Sequence, residues 1–357
     1  MNQKTETTLD PRAYSRQRIA DCPHRFDWAR LSPDGDLGAW QAEFRAAFLK
    51  TLGRLEEWER VPLNVRVEES TALDGYRRDR VRFTTRPGLD AVGYLLVPDG
   101  VTGPVPAVVC LPGHGRGMDS TVGIAEDGSQ RALGAPDEYQ ADFPLRCVAH
   151  GWVAFVIEQV SFGERRDAEA LAKGGGNSSC HMDSTAALML GESVSGWRVW
   201  DAMRAIDYVL TLDGVVDPAR VATMGISGGG LTSLFTAAVD TRVAACVVSG
   251  YLCTFEASVL GVFHCVDNFV PGLLALCEMP DLTALVAPRP LFAESGDKDP
   301  IFPLPGFRTA VARAGEVYRA FGVPENFGHE VFDGDHRFHG VGAFAFLERL
   351  FAGRERP

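Results

Sequence analysis

The 357-residue chain has no excess of basic residues: 35 Lys and Arg stand against 47 Asp and Glu, a formal net charge of −12. Binding to nucleic acid or anionic membranes draws its affinity from neutralised phosphates and has no evident source here. The acidity otherwise speaks to solubility and selects no substrate. The opening stretch MNQKTETTLDPRAYSRQR lacks an apolar h-region, and no apolar run approaches the ~20 residues that span a bilayer. A soluble, unexported, cytoplasmic protein is expected. The eight cysteines form no CxxC pair and no small secreted framework, so most are expected as reduced thiols, several in core strands. No internal repeat or low-complexity tract is visible.

What is present is an ordinary globular composition, 46% apolar and 23% charged, enough for a large core. Leu37, Trp40, Phe44, Ala47, Phe48 and Leu52 recur at helical spacing, with Ser32 and Asp34 as start signals, and predict a helix over Leu37–Leu55. Three β-rich runs follow, Asn64–Glu69, Tyr76–Thr85 and Ala91–Val97, separated by the turn pairs Asp74-Gly75 and Pro87-Gly88. They read as antiparallel strands opening a sheet.

Beyond Val105 the texture alternates between apolar runs and helices. Ala107–Leu111, Trp152–Ile157, Val221–Gly225, Val243–Val248 and Pro290–Glu294 are continuous apolar strands, which mean a mostly parallel sheet with helices on both faces. Trp197, Trp200, Met203, Ile206 and Leu210 make one apolar stripe, read as core packing. Periodicity breaks down between Glu164 and Val194, around the run Gly174-Gly-Gly-Asn-Ser-Ser-Cys180-His181, so this insertion after the second core parallel strand is read as a long irregular loop, either functional or mobile. The expected organisation is an N-terminal extension over residues 1–90 and a catalytic domain over 91–357, with the insertion at about 164–194.

Gly225-Ile-Ser227-Gly-Gly229 lies between a β-rich run and an apolar helix. That context fits a nucleophile elbow, where serine occupies a strained strand-to-helix turn and flanking glycines let the two elements approach. A serine nucleophile needs a histidine base, and the histidine needs an orienting carboxylate, in the chain order Ser, acid, His. Downstream of Ser227 stand four histidines, His264, His329, His336 and His339. His336 is favoured because Phe332-Asp-Gly-Asp-His336 places it on a loop after a strand; His339 is the competitor. For the acid, Asp297 reads as a turn-former behind Gly296, and Asp299 as the residue projecting to the histidine. Oxyanion donors are expected from the backbone of Gly228 and from His114 or Gly115 in the glycine-rich turn Pro112-Gly-His-Gly-Arg-Gly117. That turn lacks the Lys-Ser/Thr of a phosphate loop and the dinucleotide spacing.

Taken in order, LPGHGRG, GISGGG, ESGDKDPIFP and GDHRFHG resemble the dienelactone-hydrolase-like and acetyl-xylan-esterase-like branch of the α/β-hydrolase superfamily, over roughly Val92 to the C-terminus. SFGERRD, SGWRVWDAMRAIDYV and HCVDNFVPGL look like the same branch. The resemblance implies an α/β-hydrolase fold, Ser227 as nucleophile, Asp299 as acid, His336 as base, and His114 and Gly228 as oxyanion donors. It implies a carboxylic ester hydrolase acting on acetyl or other short acyl esters of sugars or small molecules through an acyl-enzyme, without a cofactor. The alternatives are a lactonase or a peptidase or amidase on the same residues. The peptidase type with an upstream propeller is disfavoured, because about 100 residues precede the core. Glu164, Arg165, Arg166, His181, Asp267 and Asn268 are candidates to line the pocket, against the plainer reading of solvated or salt-bridged loop residues. Cys180-His181 and His264-Cys265 lack the ligand spacing of common metal sites, so no metal is expected. The expected partner is a small-molecule ester, with no nucleic acid and no membrane; self-association is left open.

Overall fold

The computed structural model describes residues 8–31, 35–131, 139–174 and 178–352. Its nine strands are β1 (Arg66–Leu73), β2 (Tyr76–Arg86), β3 (Leu89–Pro98), β4 (Val105–Leu111), β5 (Val153–Ile157), β6 (Val216–Ile226), β7 (Ala245–Ser249), β8 (Leu291–Gly296) and β9 (Phe327–Phe332). They form one sheet in the order β1-β2-β3-β5-β4-β6-β7-β8-β9. β1, β2, β3 and β5 pair antiparallel, and β5-β4-β6-β7-β8-β9 run parallel. This is the α/β-hydrolase architecture. Gly75 and Gly88, at φ +81° and +78°, close the two opening hairpins, a left-handed backbone that glycine adopts without penalty.

Side chains alternate across a strand, so a strand covered on both faces must be apolar throughout. In β4, Val109 and Leu111 enter one buried cluster, while Val108 and Cys110 enter the other. The first cluster is covered by the helices Leu37–Thr51, Val194–Val209, Gly228–Val239 and Leu304–Ala320, the second by Phe143–Ala149 and Val341–Ala352. Phe48 of the N-terminal helix is fully buried and meets the edge of Phe235 at 5.1 Å between ring centroids. The antiparallel strands and this helix thus share the sheet and core of the remaining chain.

Two expectations differ, and one helix had not been expected. The start signals Ser32 and Asp34 lie outside the described residues; the cap is Asp36, whose Oδ1 accepts from the Ala39 N–H at 3.0 Å, and the helix ends at Thr51. A further helix, Pro11–Ala20, precedes it and buries no residue, so it offers no apolar stripe to read. The stretch read as a long irregular loop holds two helices, Ala168–Lys173 and Cys180–Met189. They are short and mostly exposed, with few buried positions to set a period. Among the described residues no single helix is long and apolar enough to cross a membrane.

Candidate active site

β6 ends at Ile226 and the next helix starts at Gly228, leaving Ser227 alone in the turn at φ +57°, ψ −122°. Such backbone costs on the order of 1–3 kcal/mol for a non-glycine residue and persists only where its surroundings hold it. Here the Ser227 N–H donates to the Ser249 carbonyl at 2.9 Å, and the Leu231 N–H donates to the Ser227 carbonyl at 2.9 Å. A Cβ at Gly225 would lie 2.2 Å from the Gly229 carbonyl oxygen, and one at Gly229 would lie 1.9 Å from that of Leu111. Strand and helix therefore meet backbone to backbone, which presents the serine at the head of a helix whose dipole favours negative charge. The first N–H groups of a helix, Gly228 included, have no partner within it.

At the carboxyl end of β8, Asp299 sits in a short turn. Its Oδ1 accepts from the N–H groups of Ile301 and Phe302 at 2.8 and 2.9 Å, and its Oδ2 lies 2.7 Å from His336 Nδ1. Asp299 therefore builds the turn and also meets the histidine. The His336 ring lies between Tyr139 and Phe302, each 5.6 Å away between ring centroids, and its Nε2 is buried with no hydrogen-bond partner among the described residues. Two observations place this ring beside the serine. A Cβ on Gly250, next to the Ser249 whose carbonyl holds Ser227, would lie 3.0 Å from His336 Cε1. Tyr139, whose ring stacks on the imidazole, has its hydroxyl within reach of the Ser227 side chain.

The other histidines are engaged elsewhere. His339 Nδ1 lies 3.3 Å from Glu330, and His264 Nε2 lies 2.9 Å from the Ser258 hydroxyl. His329 stacks on Phe327 at 5.7 Å. Asp297 accepts from the Gly334 N–H at 3.0 Å, tying its turn to the loop that carries His336.

The loop after β4 is held by two glutamines. The Gly113 N–H donates to Gln140 Oε1 at 3.0 Å, and Gln159 Nε2 donates to the Pro112 carbonyl. His114 faces Gly228: a Cβ there would lie 3.3 Å from His114 Nδ1. Gly115 takes φ +149°. The side chain of His114 has a second set of contacts that its backbone position does not foretell. Its Nε2 lies 3.2 Å from Asp267 Oδ2 and 3.7 Å from Cys180 Sγ. The same Asp267 oxygen accepts from Arg198 at 2.5 Å, both side chains being 1% exposed. Burial by itself would lower the His114 pKa, but the bonds to Asp267 and Cys180 outweigh it and push the group up to about 9. Burial likewise opposes the Asp267 charge, yet Arg198 and His114 hold this carboxyl far below the usual range.

Of the proposed pocket residues, Glu164 pairs with Arg80 at 2.6 and 2.7 Å, and Arg165 pairs with Asp201 at 2.6 Å and also donates to the Glu158 carbonyl. Arg166 donates to the Gly163 carbonyl at 2.6 Å, and His181 is exposed on the insertion helix. Asn268 donates to Asp267 Oδ1 at 2.9 Å and lines an apolar cleft with Leu188, Phe255 and Phe269. Tyr139 was not foreseen; it follows a stretch, residues 132–138, that lies outside the described residues.

A parallel-rich sheet with a strained serine behind β6, and an Asp–His pair behind β8 and β9, defines an α/β-hydrolase. Residues 16–333 match the Abhydrolase family, and the chain belongs to it. The match begins well upstream of Val92 and takes in the N-terminal helix and antiparallel strands. The chain is 27% identical over 298 residues to "Putative hydrolase YtaP" of Bacillus subtilis strain 168, covering 80% of this chain and 90% of that protein. Its fold resembles a Bacteroides fragilis protein named "putative acetyl xylan esterase", with TM-score 0.77 and 20% identity over 93% of this chain and 84% of that one. It also resembles a glucuronoyl esterase from Solibacter usitatus, with TM-score 0.65 and 17% identity over 88% and 93% of the two chains.

Proposed function

We propose that this protein is a serine hydrolase of carboxylic esters in which Ser227, His336 and Asp299 act together. The observation that carries this reading is the state of His336: one ring nitrogen is held by Asp299 at 2.7 Å, and the other is buried without a partner among the described residues, beside a serine on strained backbone. An imidazole so placed accepts the Ser227 proton at Nε2 as the oxygen attacks the ester carbonyl, and the Asp299 carboxylate stabilises the resulting imidazolium. The developing oxyanion is met by the Gly228 N–H at the helix start and by the backbone of the His114–Gly115 turn. His336 then returns the proton to the leaving alcohol, and water hydrolyses the acyl-enzyme.

The substrate class favoured is an acetyl or other short acyl ester of a sugar or small molecule, supported by the names that the fold's relatives carry. All eight cysteines are free, which supports a reducing, cytoplasmic setting. The test is an ester panel of varied acyl length, acetylated sugars included, run on wild type and Ser227→Ala with fluorophosphonate labelling alongside. Wild type is expected to hydrolyse and to label, and the variant to do neither. Hydrolysis by Ser227→Ala at the wild-type rate overturns the proposal.

A further inference from the structure

We propose that His114, Cys180, Cys265 and Asp267 form a binding site for a zinc-type divalent cation that fastens the loops around the nucleophile. The four residues come from three separate segments. His114 lies on the turn after β4, Cys180 is the first residue of the insertion helix, and Cys265 and Asp267 flank Val266 on the loop after β7. One atom from each, a histidine nitrogen, two sulfurs and a carboxylate oxygen, lies within 4.8 Å of the other three.

Among His114, Cys180 and Asp267 the spacing is close to that of ligands around one ion, and Cys265 lies within 4.8 Å of each. Tetrahedral zinc, with Zn–N and Zn–O of about 2.0–2.2 Å and Zn–S of about 2.3 Å, separates neighbouring ligand atoms by about 3.3–3.8 Å. His114 Nε2 to Asp267 Oδ2 is 3.2 Å, Cys180 Sγ to Asp267 Oδ2 is 3.2 Å, and His114 Nε2 to Cys180 Sγ is 3.7 Å. An N, S, S, O set with no open position is the mark of a structural site, one that carries no chemistry of its own.

Arg198 looks at first like an obstacle, because its guanidinium lies 2.5 Å from Asp267 Oδ2 and 3.4 Å from Cys180 Sγ. Charge balance makes it a complement. Two thiolates and a carboxylate carry three negative charges, and a divalent ion with one guanidinium returns three positive ones, so the buried group closes at neutrality. Arg198 is itself fixed, donating to the Val160 carbonyl at 3.0 Å with its guanidinium carbon 4.1 Å from the centre of the Phe162 ring. Asn268 donates to the second oxygen of Asp267 at 2.9 Å. Donors of this kind orient metal ligands from behind. Ligation at Nε2 also sets the His114 tautomer, leaving Nδ1–H on the side that faces Gly228.

The experiment uses the full chain, purified under reductant, stripped with a chelator and titrated with Co²⁺. One equivalent is expected to bind, with the intense visible bands of tetrahedral thiolate coordination, and Zn²⁺ is expected to displace it. Ser227→Ala is expected to bind the same equivalent, so failure of the metal site and failure of the ester-hydrolase reading are told apart. Cys265→Ser is expected to lose the bands, and Cys22→Ser to keep them. Should Cys265→Ser not fold, alkylation of the wild-type protein gives the same reading, with Zn²⁺ expected to protect Cys180 and Cys265 and no other cysteine. Absence of stoichiometric binding, unchanged bands in a folded Cys265→Ser, protection of other cysteines instead, or a Cys180–Cys265 disulfide that survives the reductant each overturns the proposal.

Discussion

Asp299→Asn separates the two jobs of one carboxylate. In wild type, Oδ1 holds the Ile301 and Phe302 N–H groups and Oδ2 meets His336 Nδ1. Asparagine keeps a carbonyl oxygen for the two backbone donors, so the turn survives. Its NH2 then faces His336 Nδ1, which must become the acceptor, and the ring proton moves to Nε2, where it blocks uptake of the Ser227 proton. Loss of the working tautomer costs roughly 10⁴ in kcat in serine hydrolases of this design, or about 5.4 kcal/mol at 1.36 kcal/mol per decade. Asp299→Ala removes the turn bonds as well and is expected to cost a further 2–3 kcal/mol or so of stability, since one buried and one part-buried N–H group lose their partner. The assay is kcat and KM on an aryl ester together with urea unfolding of both variants. The expected pattern is activity lost in both, stability kept in Asp299→Asn and lowered in Asp299→Ala. An Asp299→Asn enzyme within tenfold of wild type refutes the assignment of Asp299 as the orienting acid.

Tyr139→Phe removes a hydroxyl within reach of the Ser227 side chain, and at ~1 kcal/mol for one hydrogen bond kcat is expected to fall about fivefold with KM unchanged; a rise in kcat would show that the hydroxyl restrains the nucleophile instead. Phe48→Ala empties a fully buried position packed on Phe235 and is expected to cost about 3–5 kcal/mol by urea unfolding; a cost below 1 kcal/mol or so would mean that the N-terminal helix is not part of the core. Burial pushes Glu158 up to about 8, against the bond it accepts from the Met118 N–H, whereas in the unfolded chain it ionises near ~4.3. Between those values the folded protein keeps a proton that the unfolded chain has lost, so this group makes stability fall as pH rises, by up to ~1.4 kcal/mol per pH unit. Glu158→Gln has no such proton, and its stability is expected to decline less than wild type between pH 5 and 8; parallel curves refute the assignment.

How much of this was legible in the sequence depended on whether a signal was local. The strands from β3 to β8 left one, because strands buried on both faces are apolar runs bounded by glycine, proline or aspartate, whereas the edge strands β1 and β9 are mostly exposed or half-buried and carry no such run. The serine left another, since Gly225 and Gly229 are required by carbonyl oxygens that approach to 2.2 and 1.9 Å of their absent Cβ positions. Asp299 was read from its place after a strand, as the residue that projects to the histidine, and in the structure its carboxylate meets His336 and also caps the turn, a role the sequence had assigned to Asp297. The Pro11–Ala20 helix left a start signal in Asp10, whose carboxylate accepts from the Arg12 N–H at 2.8 Å, but with no buried residue it had no stripe to confirm it.

Residues brought together from distant segments left no such trace. Cys180 meets His114 across 66 positions and Asp267 across 87, so a search for ligands three or four residues apart passes over them, and pairing Cys180 with His181 or His264 with Cys265 draws attention to the wrong histidines. The six loops that matter leave the carboxyl ends of β4, β5, β6, β7, β8 and β9, and a parallel sheet gathers those ends at one edge whatever their separation along the chain. The same topology that makes Ser227, Asp299 and His336 readable in order thus places Cys265 and Asp267 beside His114. Disruption at either group should therefore reach the other through the His114 turn. Cys265→Ser is expected to lower kcat on esters while leaving fluorophosphonate labelling of Ser227 detectable. Because the His114 ring faces Gly228, an unchanged kcat in a folded Cys265→Ser variant would show that this turn is held by Gln140 and Gln159 alone.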